Sequence, residues 1–479
     1  MHDVDIDTAF EAEERAAIRD EHLAPSNGAD SAPSTETVVV IEHLSDLGMA
    51  KRFASQHADR VRYAPGYGWL VSDGARFQRD ADGSTDRLAA ATAETLWQEV
   101  LLAADRAEKK RIADHALKSE SAAKIDAMLR LARTRPELVV RADALDADPW
   151  ALNTTNGTID LRTGELRPHC RDDLITKLAP VPYDPAADAP LWLAFLDMIF
   201  AGSAPLAAYV QRAVGYSLTG DVSEQCLFFA HGPGANGKST FINAVSNVLG
   251  DYGKPADPEL LLVKRGEAHP TSVADLRGAR FVASIEVEEG RRLAEVLVKW
   301  LTGGDKLKAR FMREDFFEFT PTHKLWLVAN HKPTVRGTDY AIWRRIHLVP
   351  FNVRIADVTK PDPHFGDKLR AELPGILAWA VDGCLAWQRD GLNPPPEVRA
   401  ATEQYRADMD VLAQFLDTCC HVEPDATATA RELYGAYKQW CDDTGEHKLS
   451  QKSFGTRLTE RGFERRRGRD GYSYHGLRV

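Results

Sequence analysis

The stretch HGPGANGKST, residues 231–240, combines residue types at a spacing that suits phosphate binding. Gly232 is followed after four residues by Gly237, Lys238 and Ser239, which completes the phosphate-loop pattern. Glycines let backbone N–H groups face anionic oxygens, and a helix that begins here adds its positive end. Lysine can reach the β and γ phosphates, and serine can hold Mg²⁺. We therefore expect ATP and Mg²⁺ to bind at Gly232, Pro233, Gly234, Ala235, Asn236, Gly237, Lys238, Ser239 and Thr240.

The flanking residues predict the two elements that such a loop requires. The apolar run Cys226–Ala230 is typical of a buried strand, and Phe241–Leu249 has the pattern of an amphipathic helix. The motif is functional when it joins a strand to a helix in this order. A glycine-rich turn that matches by chance is the alternative, and this context makes it the weaker interpretation.

Acidic residues follow the next predicted strand, the apolar run 279–285. Acids at the end of such a strand lie opposite the phosphate loop, where one binds Mg²⁺ through water and another orients the attacking water. We favour Glu288 and Glu289 for these roles, with Glu286 as the alternative metal ligand. A solvated acidic turn is the competing interpretation.

A polar amide and two arginines follow further along the chain. Asn330 ends the apolar run Lys324–Ala329, where an amide can contact the γ-phosphate or the attacking water. Arg344 and Arg345 lie just before another apolar run. Either arginine could act as a finger that crosses a subunit boundary, an effect of ~10³ or more in rate. A surface salt-bridging pair is the alternative.

The segment between the acids and Asn330 predicts a β-hairpin, because two strand-like runs flank a polar tip of three residues at 313–315. Period two places Lys306, Lys308 and Arg310 on one face, with Arg313 at the tip. Such a row suits a phosphate backbone and lacks base-reading residues, which favours binding that is indifferent to sequence. A solvated cationic edge strand is the alternative.

Residues 421–479 predict two helices followed by a basic hairpin, which is a winged-helix layout. Ser450 caps the second helix, Gln451–Arg461, and the hairpin turns near Gly468–Gly471. The capped helix could enter a major groove while arginines contact phosphates. The candidate DNA contacts are Lys452, Arg457, Arg465, Arg466 and Arg467. A protein-binding role is the alternative.

Size and composition allow several domains, since 44% of the 479 residues are hydrophobic. No apolar run approaches the ~18 residues that cross a bilayer, and the N-terminus lacks a signal pattern. We therefore expect a cytoplasmic protein without membrane contact. The six cysteines lack paired CxxC spacing, which favours reduced thiols over a zinc site. The net charge of −11 is uneven, because acids dominate the N-terminus and arginines the C-terminus.

Several segments in sequence resemble one known family. GPGANGKST, DLRGARFVASIEVEEGRRL, VKWLTGGDKLKARF, LWLVANHKP and GTDYAIWRRIHLVPF resemble the superfamily 3 helicase module of phage and plasmid primase-helicases, which is related to the poxvirus primase-helicase. The upstream WALNTTNGTIDLRTGELRPH resembles the domain that precedes the ATPase there. The resemblance implies an α/β fold with a P-loop AAA+-type superfamily 3 ATPase core, an N-terminal α/β domain and a C-terminal winged helix.

The resemblance also implies a function and a set of roles. It implies a ring, usually a homo-hexamer, that hydrolyses ATP between subunits and translocates on single-stranded and forked DNA, with a primase and a polymerase as partners. Lys238 and Ser239 match the phosphate-loop pair, Glu288 and Glu289 the acidic motif, Asn330 the sensor, Arg344 or Arg345 the finger, and Lys308, Arg310 and Arg313 the DNA-facing hairpin.

The sequence is compatible with three functions. Helicase activity is favoured, and the others are a DNA-stimulated ATPase that loads or remodels replication proteins and a nucleotide-gated origin-binding protein without unwinding. Many relatives carry an N-terminal primase or zinc domain, whereas a tail and one small domain precede residue 190 here. We therefore expect no primer synthesis from this chain.

The expected segments are a disordered acidic leader at 1–38, a small N-terminal α/β domain at 39–188, a helical collar at 189–222, the ATPase domain at 223–355, a helical segment and linker at 356–420, and the winged helix at 421–479. Structure is expected to begin near Thr37–Ile41, and one helix is expected over Glu397–Cys420. The pair Asp146 and Asp148 is interpreted as part of a turn and not as a metal pair.

Overall fold

Strand-forming apolar runs and amphipathic helices alternate along this chain, and the computed structural model describes residues 43–257, 259–263, 270–285, 289–313, 315–336, 340–360, 362–468 and 471–479. The expected leader at 1–38, the expected start of structure at Thr37–Ile41 and the candidate acids Glu286 and Glu288 lie outside these residues.

The N-terminal part combines five helices with two small antiparallel sheets. Its helices are α1 (Asp46–His57), α2 (Ser84–Glu94), α3 (Leu96–Leu102), α4 (Arg106–Ser119) and α5 (Ala122–Ala132). Its strands are β1 (Val61–Ala64), β2 (Gly68–Ser72), β3 (Phe77–Arg79), β4 (Ala151–Thr154), β5 (Gly157–Asp160) and β6 (Glu165–Arg167). The strands form two sheets of three in sequence order. This part is therefore mixed α/β, as the sequence predicts.

Two apolar helices follow, α6 (Pro190–Ile199) and α7 (Ala204–Leu218), and each has a proline in its first turn. In the turn between these helices, Ala201 and Gly202 adopt positive φ angles of 52° and 74°. No single helix among the described residues is long and apolar enough to span a membrane; only α6 and α7 taken together reach that length and composition, and they are bent by 120°.

The central part of the chain forms a parallel sheet. Its strands are β7 (Leu227–His231), β8 (Gly253–Ala256), β9 (Phe281–Ile285), β10 (Leu307–Ala309), β11 (Phe317–Phe319), β12 (Lys324–Ala329) and β13 (Ile346–Pro350), and its helices are α8 (Lys238–Leu249), α9 (Pro270–Ala274), α10 (Glu295–Leu301) and α11 (Tyr340–Trp343). Five strands pair in parallel in the order β13-β7-β12-β9-β8. Strands β10 and β11 form a separate antiparallel hairpin.

Both faces of this sheet are covered, which explains why most residues of its inner strands are apolar. Phe228 and Trp326 face one core, whereas Leu227 and Leu325 face the other. All six residues of β12 are buried. Strand β8 lies at the edge and contains Pro255, which cannot donate to a ladder. The sequence analysis did not predict β8, because its four residues show no apolar alternation.

The next part is helical, with α12 (Ile355–Val358), α13 (Phe365–Ala371), α14 (Leu373–Asp390), α15 (Pro396–Asp408) and α16 (Val411–Cys419). The prediction of a single helix over Glu397–Cys420 is wrong, because α15 ends at Asp408. Asp410 then caps α16 by accepting a hydrogen bond from the N–H of Ala413 at 3.1 Å. Helix α15 covers the edge strand β13, where the N–H of Leu348 donates to the hydroxyl of Thr402 at 3.0 Å.

Helices α7 and α14 pack closely through glycines. A Cβ on Gly215 would lie 2.1 Å from the backbone nitrogen of Cys384, and one on Gly383 would lie 2.2 Å from the carbonyl oxygen of Gln211. The carboxylate of Glu372, just before α14, accepts hydrogen bonds from two N–H groups at the start of α6 at 2.8 and 3.0 Å. These contacts attach α6 and α7 to the helices that follow the sheet.

The C-terminal part consists of β14 (Thr427–Thr429), α17 (Ala430–Thr444), α18 (Gln451–Glu460), β15 (Arg465–Gly468) and β16 (Gly471–His475). The cap at Ser450 is confirmed, since its hydroxyl accepts a hydrogen bond from the N–H of Ser453 at 3.2 Å. Phe454 and Tyr474 lie in the core of this part. Strand β14 pairs with β16 and was not predicted, because a run of three residues carries too little periodicity.

Candidate functional site

The loop at residues 232–237, called the glycine loop here, joins the carboxyl end of β7 to the start of α8. The predicted order of strand, loop and helix is confirmed. Gly237 has a φ of +86°, and a Cβ there would lie 2.9 Å from the side chain of Ile199. Helix α6 thus packs directly against the end of the glycine loop. Trp192 on α6 stacks on Phe241 of α8, with 5.6 Å between ring centroids.

The side chain of Lys238 lies inside the glycine loop. Its ammonium donates hydrogen bonds to the carbonyl oxygens of Gly232 and Pro233 at 2.7 and 3.0 Å, and to Oδ1 of Asn236 at 2.9 Å. Burial lowers the pKa of Lys238 to about 8. The amide of Asn236 in turn donates to the carbonyl oxygen of Phe351 at 2.6 Å. The shape of the loop therefore depends on the segment that follows β13.

The backbone of the glycine loop retains unused donors. The N–H groups of residues 234–237 have no hydrogen-bond acceptor within the described ranges of the chain. Gly234 and Ala235 are exposed, and so is Ser239 in the first turn of α8. Unpaired N–H groups beside a helix N-terminus form a site for an anion. These residues fit the phosphates of a nucleotide, and the Ser239 hydroxyl fits a metal ligand.

Two other candidate residues lie at the same edge of the sheet. Carboxyl ends of parallel strands meet at one edge, where ligands of such sheets bind. Asn330 directly follows Ala329, which is paired with His231 at the end of β7. Glu289 is exposed in the turn four residues after β9 ends at Ile285. The sheet thus brings Lys238 and Asn330 to one edge, together with the segment that carries Glu289.

His231 was missed by the sequence analysis, although it is the last residue of the strand before the glycine loop. Burial, together with the charges of Lys332 and Lys238, lowers its pKa to about 4. Its ring lies 5.5 Å from that of Phe229. His231 is therefore neutral near pH 7. Its position at the strand end was the signal that could have identified it.

Arg344 and Arg345 lie at the amino ends of the parallel strands, whereas the glycine loop lies at their carboxyl ends, on the opposite side of the sheet. They directly precede β13, and the carbonyl oxygen of Arg345 accepts a hydrogen bond from the N–H of Leu227, the first residue of β7, at 2.6 Å. The glycine loop begins after the last residue of that same strand. A strand of five residues spans roughly 16 Å. The structure therefore does not bring these arginines to the glycine loop of their own chain.

The two arginines have different environments. Arg345 is 8% exposed; its Nε donates to the hydroxyl of Thr302 at 3.1 Å, and its Nη1 donates to the carbonyl oxygen of Ala341 at 2.6 Å. Arg344 is exposed, and its Nη2 donates to Oε1 of Gln225 at 2.6 Å. Arg345 is thus held within the chain, whereas Arg344 is accessible from outside it.

The predicted hairpin is present, but its tip is longer than expected. Paired residues end at Ala309 and Phe317, so the connecting loop runs from 310 to 316 and is not limited to 313–315. Just beyond the paired residues, Phe311 stacks on Phe317, with 5.5 Å between ring centroids. Arg313 lies in the loop with a φ of +65°. The predicted face is confirmed, since Lys306, Lys308 and Arg310 are exposed whereas the residues between them are buried.

The cationic candidates of the C-terminal part divide into two groups. Lys452, Arg465, Arg466 and Arg467 are exposed. Arg465 lies 3.6 Å from the ring centroid of Tyr472, and Arg466 forms an ion pair with Glu464 at 2.7 Å. Arg457 instead donates to the carbonyl oxygen of Arg336, so that it contacts the segment after β12.

Asp146 and Asp148 serve local structure. The carboxylate of Asp146 accepts a hydrogen bond from the N–H of Thr176 at 2.7 Å, and that of Asp148 accepts one from the N–H of Trp150 at 2.9 Å. Asp148 also pairs with Arg162 at 3.1 Å. Both carboxylates are therefore engaged within the chain, that of Asp148 in the local turn and that of Asp146 by a residue 30 positions away.

Three family models match this chain. A model described as D5 N terminal like matches residues 50–201, one described as poxvirus D5 protein-like matches residues 407–476, and a family of unknown function matches residues 230–345. The first covers most of the N-terminal part and all of α6, and the second covers the C-terminal part. The third covers the glycine loop, the hairpin and both arginines.

The relatives include proteins of several viruses. A protein of Acanthamoeba polyphaga mimivirus, provisionally named a helicase, is 27% identical over 319 residues, which cover 62% of this chain and 33% of that protein. One of Frog virus 3, also provisionally named a helicase, is 26% identical over 53% of this chain and 28% of its own length. A protein of African swine fever virus, provisionally named a primase, is 22% identical over 62% and 34%. The chain spans about a third of the length of these relatives.

A solved structure shares the fold. The A form apo structure of the NrS-1 C-terminal region has a TM-score of 0.51 and 9% sequence identity, and the match covers 91% of this chain and 100% of that one. This similarity concerns the mixed α/β fold alone. The chain is thus similar to D5-like family models over residues 50–201 and 407–476 and to viral proteins provisionally named helicases and primases.

Proposed function

We propose that this chain is the ATP-dependent helicase part of a replication protein of a virus or mobile element, and that it acts as a ring on single-stranded DNA. The observation that carries the proposal is the placement of the glycine loop and Arg344 at opposite edges of one sheet. A residue at the far edge cannot complete its own site. It can complete the site of a neighbouring copy.

The glycine loop is proposed as the nucleotide site. The unpaired N–H groups of residues 234–237 would bind phosphate oxygens, and Ser239 would hold the metal ion. Bound ATP and Mg²⁺ would supply the phosphoryl group and a cation that offsets its charge. To contact that group, the ammonium of Lys238 has to exchange its three hydrogen bonds within the loop for bonds to phosphate.

Other residues at this edge receive the roles that the resemblance implies. Asn330 would contact the terminal phosphate or the attacking water, and Glu289 would orient that water. Glu286 and Glu288 remain candidates for the metal ion. Arg344 is proposed as the finger in preference to Arg345, because Arg345 already donates to Thr302 and Ala341 within its own chain.

DNA is proposed to bind at the hairpin and at the C-terminal part. The exposed face of Lys306, Lys308 and Arg310, with Arg313 in the loop, would contact the backbone of one strand. The exposed cations Lys452, Arg465, Arg466 and Arg467 would contact duplex DNA. We propose a homo-hexamer and expect a primase and a polymerase to act with it.

One set of measurements tests this function. ATP hydrolysis is measured with and without single-stranded DNA, strand displacement is measured on a forked duplex, and the mass of the assembly is measured with nucleotide and DNA. We expect stimulation by DNA, displacement, and a ring. Stimulation without displacement would favour a loader or remodelling ATPase instead. A monomer under all conditions that displaces no strand would contradict the proposal.

A further inference from the structure

We infer that Phe316 is a base-stacking residue for single-stranded DNA, an inference that rests on the proposed function of the hairpin. Phe316 is 52% exposed, although alternation along a hairpin places a polar residue on the solvent side. Of the other aromatic residues of this segment, Phe311 and Phe317 are half-buried and Phe319 is buried. Phe316 is thus an apolar ring presented to solvent beside a hydrophobic core that does not include it.

The cations of the hairpin share a face with this ring. Lys308 is paired with Glu318 across the ladder, and continuation of that register places Arg310 opposite Phe316. The guanidinium of Arg310 lies 4.7 Å from the ring centroid of Phe316, and the ammonium of Lys308 lies 5.3 Å from it. Two cations therefore hold the orientation of the ring while about half of its surface stays exposed.

Charge alone gives this hairpin little affinity for DNA. Residues 305–319 contain four basic residues, Lys306, Lys308, Arg310 and Arg313, and four acidic residues, Asp305, Glu314, Asp315 and Glu318. Glu318 is exposed directly across from Lys308. Attraction of a phosphate backbone depends on an excess of cations. A surface that is balanced in charge but holds a ring between cations is suited to stack a base and contact the adjoining phosphates.

Stacking and charge can be separated by experiment. Binding of oligothymidine is compared with binding of an abasic oligonucleotide of equal length over a range of salt concentrations. The proteins compared are the unaltered protein and the variants Phe316→Ala, Phe316→Trp, Phe316→Leu and Lys308→Ala. We expect Phe316→Ala and Phe316→Leu to weaken oligothymidine binding about 5- to 100-fold, with the salt slope unchanged. Binding of the abasic strand should change little, and Phe316→Trp should restore affinity.

Lys308→Ala serves as the matched charge variant on the same face. It should weaken binding of both oligonucleotides and reduce the salt slope by about 0.7, the value for one phosphate contact on a single strand. Thermal unfolding of each variant confirms that the hairpin substitutions leave the fold intact, and Phe316→Leu retains apolar volume if Phe316→Ala does not fold.

Three other outcomes would contradict either the stacking role of Phe316 or the binding of DNA by the hairpin. If Phe316→Ala and Phe316→Leu bind both oligonucleotides like the unaltered protein while Lys308→Ala reduces the slope, the stacking inference is wrong and the hairpin still binds DNA. If the Phe316 variants weaken both oligonucleotides equally, the ring has a structural role and the inference is overturned. If no variant, Lys308→Ala included, changes binding, the proposed role of the hairpin fails.

Discussion

The guanidinium of Arg457 on α18 donates a hydrogen bond of 2.6 Å to the carbonyl oxygen of Arg336, in the segment that follows Asn330. Lys332 of the same segment pairs with Asp408 at the end of α15, at 2.8 Å. The segment after Asn330 therefore contacts both α15 and the C-terminal part. A shift of this segment when nucleotide binds would reach the part of the chain proposed to bind duplex DNA.

This contact predicts that two arginines of the C-terminal part differ in their effect on DNA. Arg467→Ala should weaken binding of duplex DNA and reduce its salt slope by about 0.9, because Arg467 is exposed on β15. Arg457→Ala should leave the slope unchanged, since Arg457 contacts the chain itself. Titrations with a labelled duplex at several salt concentrations measure both. A slope that changes for Arg457 alone would reverse this assignment.

Substitution of Lys238 should separate hydrolysis from DNA binding. Lys238→Ala removes the ammonium that is proposed to contact the transferred phosphate, so hydrolysis should fall at least 100-fold. The C-terminal part has a hydrophobic core of its own and should therefore still bind duplex DNA. Phosphate release and duplex titration are measured on the same preparation. Retained turnover in this variant would show that the glycine loop is not the site of hydrolysis.

Substitution of Arg344 and of Arg345 should have different effects on stability and on ATP hydrolysis. Arg345→Ala should lower the free energy of unfolding by about 2–4 kcal/mol, since it leaves buried partners without a donor. Arg344→Ala should change stability by under about 0.5 kcal/mol but reduce hydrolysis by ~10³.

Mixing two inactive variants tests whether the nucleotide site is shared between neighbouring copies. Arg344→Ala protein and Glu289→Gln protein are each expected to be inactive, and a mixture should regain part of the activity because some neighbouring copies then combine an intact arginine with an intact acid. Activity is measured over a range of mixing ratios. Absence of rescue at every ratio would indicate a site contained in one chain.

The close packing of α7 on α14 predicts a large effect of one methyl group. Gly383→Ala should destabilise the protein by about 1–3 kcal/mol or more, because its Cβ would meet the carbonyl oxygen of Gln211 at 2.2 Å. Gly435 in α17 is the matched control, since a Cβ there meets nothing within 4 Å. Gly435→Ala should stabilise by about 0.5–1 kcal/mol. Chemical denaturation of both variants measures the difference.

Buried histidines predict a loss of stability in acid. Burial lowers the pKa of His347 to about 4 and that of His323 to about 3, whereas an unfolded chain has a pKa near ~6.5. The unfolded state therefore binds more protons below pH ~6.5, and the free energy of unfolding falls as pH decreases, by up to about 1.4 kcal/mol per unit for each group.

The variant His347→Gln measures how much this one histidine contributes to the pH dependence of the free energy of unfolding. The variant should show a shallower decrease between pH 6.5 and about 4, while both proteins run parallel above pH 7. Tyr209, whose hydroxyl lies 2.8 Å from Nδ1 of His347, retains a polar partner in glutamine. Urea denaturation at a series of pH values gives the slopes. Equal slopes would mean that His347 does not remain neutral in the folded protein.

The sequence by itself determined the elements around the glycine loop, because the spacing of Gly232, Gly237 and Lys238 and the apolar runs beside them are local patterns. It also determined the exposed row of the hairpin, since alternation over Lys306, Lys308 and Arg310 depends only on a strand period of two. The cap of α18 at Ser450 is local in the same way. Each of these features requires only neighbours within a few residues.

Only the tertiary structure decided which candidates are accessible. Arg345 is buried by a partner 43 residues away, and Arg457 is engaged by a carbonyl 121 residues away. The sequence shows Arg344 and Arg345 as equivalents, and it cannot show that both lie at the far edge from the glycine loop. Burial and strand order arise from contacts between distant residues, so the patterns that specify a helix or a strand contain no information on them.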